Sequence, residues 1–222
     1  MPVQQAHKRL GQNAPAAATP TSIYSPGAGI TALLQNLHIC NTSTTTDDLV
    51  RLFLKNGAGP GTGDALIYDL TVPVGNPFAL DTILAIPTGW TLYTYSLNAT
   101  TTFTASGIEI SGSSNQTFKQ LAGPTAPGAA SNTTIYTATG LTAQLASLHI
   151  CNTNATSDMV RVFIVPSAGT AGVTNAIMYD VPVAYGNPFV MNTIPDLNAG
   201  DFISVYSLNG TSTFTLSGTE LS

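Results

Sequence analysis

Residues 37–42 read LHICNT, and residues 148–153 read LHICNT again. The same displacement of 111 residues carries GNPF at 75–78 onto GNPF at 186–189, and YSLN at 95–98 onto YSLN at 206–209. Three identical segments on one shift mean that one unit is written twice. Tyr68-Asp69 then matches Tyr179-Asp180, and Phe103, Gly107 and Glu109 match Phe214, Gly218 and Glu220. Val50-Arg51 and Val160-Arg161 slip by one residue. The loop TSTTTDD faces the shorter TNATSD there, and loops absorb changes of length.

The repeat reaches back to the start of the sequence, where His7–Gly11 aligns with Phe118–Ala122. A unit this long is no solenoid repeat, and it is large enough to bury a core of its own. The expected division is a first β-sandwich over 1–112, with a short N-terminal arm, and a second over 113–222. The stretch SGSSNQT at 111–117 has the Gly/Ser-rich composition of a linker.

Within the first unit, apolar runs fall at 30–40, 49–55, 65–72, 77–84, 90–97 and 101–110. The breakers between them are rich in Gly, Pro, Asn and Thr. Short strands spaced about 8–12 residues apart predict a sandwich or barrel. Alternation agrees with strands, with Phe103, Ala105 and Gly107 interleaved with Thr102, Thr104 and Ser106. The run TALLQNL within 30–40 also fits a helical turn, as does its counterpart in the second unit. The fold class expected is all-β, two tandem β-sandwich domains of jelly-roll-like type.

Apolar residues make up 43 % of the chain and charged residues only 8 %, against about 25 % charged in an average domain. A surface so poor in charge suits one that neighbouring subunits cover. The net charge is −5, and Lys8-Arg9 is the nearest approach to a basic patch, so nucleic acid is not an expected partner. The opening MPVQQAHKRLGQNAP has no apolar stretch of the signal-peptide kind, and no run of about 18 apolar residues follows. Synthesis in a cytoplasm, and no membrane association, are therefore expected.

Candidate chemistry is sparse. His38 and Cys40, repeated as His149 and Cys151, sit two apart and share a face of a strand. Zinc needs three or four ligands and no second cluster stands nearby, so the reading is a small thiol and a histidine on a sheet face. A cysteine bonded to a neighbouring chain is a lesser alternative. Arg51 with Asp69, and Arg161 with Asp180, read as structural ion pairs across strands. Glu109 and Glu220 are copies of one position and read as surface charges on a terminal strand. The three histidines make no triad, since His7 stands alone near the N-terminus and the other two are equivalents. The sequence has no nucleophile elbow, P-loop or metalloprotease motif. No catalytic, cofactor-binding or metal residue is assigned, and an enzyme is not expected.

In order along each unit stand Cys40-Asn41 and Cys151-Asn152 after a strand, Tyr68-Asp69 and Tyr179-Asp180 before a polar hairpin, and Ser106-Gly107 with Glu109 and Ser217-Gly218 with Glu220 at the end. This pattern resembles a group of small β-rich structural proteins encoded by tailed bacteriophages. The first unit departs from this pattern at Trp90, where the second has Asp201. The resemblance implies a non-enzymatic virion component on the tail, neck or capsid exterior, capsid decoration included. Its expected partners are other virion proteins and further copies of this chain. A tandem carbohydrate-binding module is the alternative, with Trp90, Tyr93, Tyr95, Phe202 and Tyr206 as the aromatics that would meet a glycan.

Overall fold

The structure is a computed structural model, and it describes residues 4–112, 116–140, 142–192 and 194–221. The expected boundary at 112/113 meets residues 113–115, outside the described residues. The first half contains β1 (Gln4–Asn13), β2 (Thr21–Tyr24), β3 (Ile30–Asn41), β4 (Asp48–Asn56), β5 (Ala65–Val72), β6 (Phe78–Ile86), β7 (Trp90–Ser96) and β8 (Thr101–Ser111). These form two four-stranded antiparallel sheets, ordered β1-β8-β3-β6 and β2-β7-β4-β5. Eight strands wound so that sequence-distant strands become neighbours in two facing sheets make a jelly roll.

The second half contains β9 (Gln116–Thr125), β10 (Thr133–Thr137), β11 (Thr142–Asn152), β12 (Asp158–Val165), β13 (Ala176–Val183), β14 (Phe189–Met191), β15 (Leu197–Asn198), β16 (Phe202–Ser207) and β17 (Ser212–Leu221). Its sheets run β9-β17-β11-β14, with β15 also on β11, and β10-β16-β12-β13. The strand order is that of the first half. One difference is local. Where β6 is continuous, its counterpart is cut into β14 and β15, and Pro195 lies in the gap. Proline supplies no N–H to a ladder.

Each half has its own core. Leu34, Leu37, Ile39, Leu52, Ile67, Leu84 and Phe103 are fully buried in the first. Leu148, Ile150, Val160, Val162, Val205, Phe214 and Leu216 fill the second. The helical alternative for TALLQNL is replaced by a β-bulge. β3 pairs with β8 through Leu34↔Gly107 and then Asn36↔Ser106, so Gln35 is the extra residue. The bulge sets the inward Leu34 and Leu37 three positions apart, and that spacing imitates a helical turn. β11 repeats the device, with Ala146 extra between Leu145↔Gly218 and Ser147↔Ser217.

The expected N-terminal arm is instead β1, laid along β8 from Gln4↔Ser111 to Asn13↔Phe103. An edge strand is held by its ladder and needs few apolar residues. Of this polar stretch only Leu10 is buried. Glu109 and Glu220 are likewise more than surface charges. Lys8 pairs with Glu109 at 2.9 Å, and the Tyr24 hydroxyl donates to Glu109 at 2.7 Å. Lys119 pairs with Glu220. The Lys119 hydrogen bond leads, with those from Thr139, in holding the Glu220 carboxyl down to about 2.

Candidate functional site

The repeated asparagine of LHICNT is a brace. Asn41 Nδ2 donates to Thr46 O at 2.9 Å and Val72 O at 3.0 Å, closing the β3–β4 loop onto β5. Asn152 does the same with Thr156 O at 2.7 Å and Val183 O at 3.0 Å. A second brace follows in Asp48, fully buried. It accepts hydrogen bonds from the Ser96 hydroxyl, the Thr101 hydroxyl at 2.6 Å and the Asn98 amide at 3.0 Å. Burial opposes ionisation of Asp48, but these bonds outweigh it and its pKa is lowered. Asp158 repeats the arrangement with Ser207, Ser212 and the Asn209 amide.

The paired Arg and Asp meet as expected, and a bulge aims them. Val50↔Leu70 is followed by Leu52↔Ile67, so Tyr68 and Asp69 together oppose Arg51. Asp69 takes φ 52° and Asp180 φ 51°, the left-handed region that Asp tolerates better than most residues. Arg51 Nε donates to Asp69 Oδ1, and its Nη2 to Oδ2 at 3.1 Å. The guanidinium also lies 4.1 Å from the Tyr68 ring centroid and 4.6 Å from that of Tyr95. Arg161 repeats this with Asp180, Tyr179 and Tyr206.

What the structure adds is the contact between the halves. The β4–β5–β6 side of the first half presses on the outer face of β11 and β17 of the second. Phe53, Ala65, Tyr95 and Cys151 form one buried cluster spanning the two. Around it, hydroxyls of the second half meet backbone of the first. Thr213 donates to Ala65 O at 2.6 Å, Ser147 donates to Ile83 O at 2.6 Å, and Ser217 accepts from Ala85 N at 3.0 Å. β5 and β6 are sheet edges, whose unpaired backbone groups would invite further strands if left bare. Side-chain hydroxyls satisfy them without adding a strand.

His149 lies inside this contact, its Nε2 hydrogen-bonded to Thr82. Burial pushes its pKa down to about 4, and its Nδ1 has no partner. Burial, with the Asp69 charge adding, pushes the Cys151 thiol up to about 12. Tyr185 reaches across and donates its hydroxyl to Asp69. Gly186 beside it has φ +70°, and a Cβ there would stand 2.7 Å from Asp69 O, so the backbones approach too closely for a side chain.

The equivalents of these residues in the other half are uncovered. His38 and Cys40 are exposed, whereas His149 and Cys151 are each 2 % exposed. Thr102, Thr104 and Ser106 are partly exposed where Thr213, Thr215 and Ser217 are buried. On the opposite side, Asp69 is 10 % exposed and Asp180 42 %.

The aromatics considered for a glycan have other employment. Trp90 packs on the first core, with its ring against Gly123 of β9. Tyr93 donates to Gly57 O at 3.0 Å, and Tyr95 is buried in the contact. Tyr206 lies against Arg161, and Phe202 is half-buried. Among the described residues, no three of His, Cys, Asp and Glu gather as a metal site would require.

Sequence reasoning found the Arg–Asp pairs and placed the His and Cys on one face. It noted Asn41 only as part of a repeated pattern, without its bracing role, and missed Asp48 and the hydroxyls of β17. Their signal was present in the repeat, since Asn152, Asp158, Ser212 and Ser217 match Asn41, Asp48, Thr101 and Ser106 in type.

No protein-family model and no curated protein matches the chain. Among solved structures, it is similar to the major capsid protein P2 of bacteriophage PM2, at 12 % identity and TM-score 0.34 over 99 % of this chain and 98 % of that one. A second is the CBM22 tandem domain of Paenibacillus barcinonensis Xyn10C, at 11 % identity and TM-score 0.30 over 98 % and 86 %. A third is the infectious bursal disease virus Gx strain structure, at 10 % identity and TM-score 0.32 over 99 % and 71 %. Likeness at this level assigns neither a family nor a function.

Proposed function

We propose that this chain is a non-enzymatic structural subunit of a virus particle, of the kind that tailed bacteriophages build. It would pack on the tail, neck or capsid exterior through its β-domains, with capsid decoration as the narrowest form. The observation that carries this reading is the contact between the halves. The chain's most elaborate side-chain constellation joins one β-domain to another, and it spends a histidine, a cysteine and an Arg–Asp pair on that join. Selection for shape and adhesion explains residues that a catalytic reading leaves idle. The charge-poor composition supports the same reading, because subunit surfaces that meet neighbours are depleted in charge at their centres. Its partners would be other virion proteins and copies of itself, and its place the assembled particle.

Mass spectrometry of purified particles tests this, with the chain expected among the virion proteins. Its absence from complete particles would reject the reading. Copy number then locates it. A tail or neck part occurs in small symmetric multiples, and a decoration protein on the order of hundreds of copies.

A further inference from the structure

One chain carries two versions of a socket and two versions of the face that fills it, and only one of each is used. The filled socket is the β4–β5–β6 side of the first half. The face that fills it belongs to β11 and β17. Unused are the outer face of β3 and β8, with His38, Cys40, Thr102 and Thr104, and the β12–β13 side of the second half, with Ala176, Tyr179 and Asp180, where Phe163 is already buried with its ring edge-on to Tyr179.

We propose that these two unused surfaces bind each other between copies of the chain, head to tail, repeating between molecules the contact that joins the halves within one. The proposal rests on the structural-subunit reading and names its first partner. Residue identity supports it. His38 and Cys40 repeat His149 and Cys151, and Thr102 and Thr104 repeat Thr213 and Thr215. On the socket side, Phe163, Ala176 and Asp180 repeat Phe53, Ala65 and Asp69. The free side chains are also in a waiting arrangement. Thr213 donates to Cys151 O at 3.3 Å as well as across the contact to Ala65 O. Thr102, lacking a neighbour, keeps only the first of these, to Cys40 O at 3.4 Å. Tyr179 is 44 % exposed, and Arg161 and Asp180 already hold each other as Arg51 and Asp69 do.

The second socket is not a perfect copy. Pro195 interrupts the strand corresponding to β6, so the backbone groups that Ser147 and Ser217 engage have no regular counterpart. Val74 stands where the second half has Tyr185, so Asp180 receives no phenol. The intermolecular contact is therefore weaker than the intramolecular one, which also gains from tethering. Because the two surfaces differ, the contact is heterologous. Such contacts close into rings where the rotation permits and otherwise run on as filaments.

The test uses the full chain. Sedimentation velocity across a concentration series should show reversible association. Thr104→Arg on one surface and Tyr179→Ala on the other should each weaken it by roughly tenfold or more, and Thr104→Arg, at a partly exposed position, should leave the melting temperature unchanged. Ala176→Cys under mild oxidation should give disulfide-linked multimers in which peptide mapping joins Cys40 to the introduced thiol. A chain that stays monomeric throughout, association indifferent to both substitutions, or linkage of Cys40 only to Cys40 would each overturn the proposal. Particle composition is a separate readout. A chain present in virions but monomeric in solution rejects this contact and leaves the subunit reading standing. A chain that associates but is missing from virions does the reverse.

Discussion

At the residue scale, a few buried polar groups hold each half. Asp48 gathers Ser96, Thr101 and the Asn98 amide, and among the described residues it forms no ion pair, so hydrogen bonds stabilise its charge. Asp48→Asn keeps the volume but leaves donors facing an amide. Hydrogen bonds to a charged group contribute about 1.5–3 kcal/mol each at most, and a loss of about 2–3 kcal/mol in urea unfolding is expected. A change below about 0.5 kcal/mol would mean that the carboxylate does not organise this corner. His149 gives a pH dependence. Its folded pKa, lowered by burial from 6.5 to about 4, means that the unfolded chain takes up the proton first as pH falls. The stabilisation is complete above about pH 6.5 and drains away down to about pH 4, by about 3 kcal/mol at most. Replacing His149 with Gln should flatten unfolding free energy across that window. Asp48, Asp158, Glu109 and Glu220, all with lowered pKa values, begin to lose their contribution from about pH 5 downward, so the histidine acts by itself only between about pH 6.5 and 5. An unchanged slope between about pH 6.5 and 5 in the variant would show that another group is responsible.

At the element scale, bulges do the shaping. The extra residue in β3 and β11 lets Leu37 and Leu148 stay inward past a break in register. Opposite it, Gly107 and Gly218 leave room for the displaced backbone. A Cβ would fall 1.9 Å from Leu33 O in one case and 2.3 Å from Gln144 O in the other. Backbone cannot give way as a flexible side-chain tip can, so Gly218→Ala should force β17 away from β11. Overpacking of this kind costs about 1–3 kcal/mol. Because β17 also carries Thr213 and Ser217, the substitution should expose the Cys151 thiol to a maleimide or disulfide reagent. Continued protection of Cys151 at wild-type rates would argue that the strand pair absorbs the methyl group.

At the scale of the whole molecule, the two cores are separate but the contact between them is built like a core. Its hydroxyls answer edge-strand backbone groups, so removing one leaves a buried carbonyl without a partner, which costs about 1–3 kcal/mol. Calorimetry of the wild type should therefore show one cooperative transition. Thr213→Val, which keeps shape and deletes the donor to Ala65 O, should split it into two as the halves uncouple. A variant still melting in one transition would mean that the apolar cluster and Tyr185 suffice for coupling. The same logic runs outward to other copies, where the uncovered face of β3 and β8 offers the hydroxyls that β17 uses within the chain.

The repeated motifs, the all-β class and six of the eight strands of the first half were legible in the sequence. Turn residues and period-two alternation are local properties, and local physics writes them directly into the chain. The sequence did not reveal β1 or β2, because edge strands held by their ladders need no apolar pattern. It left the bulged strand β3 open to a helical turn as well, because both place apolar residues three apart. The tertiary structure alone decided what the repeated residues do. His38 and His149 have the same neighbours in sequence, yet one is exposed and the other lies beneath Thr82. Burial depends on which surface the other half covers, and that is a relation between parts far apart in the chain.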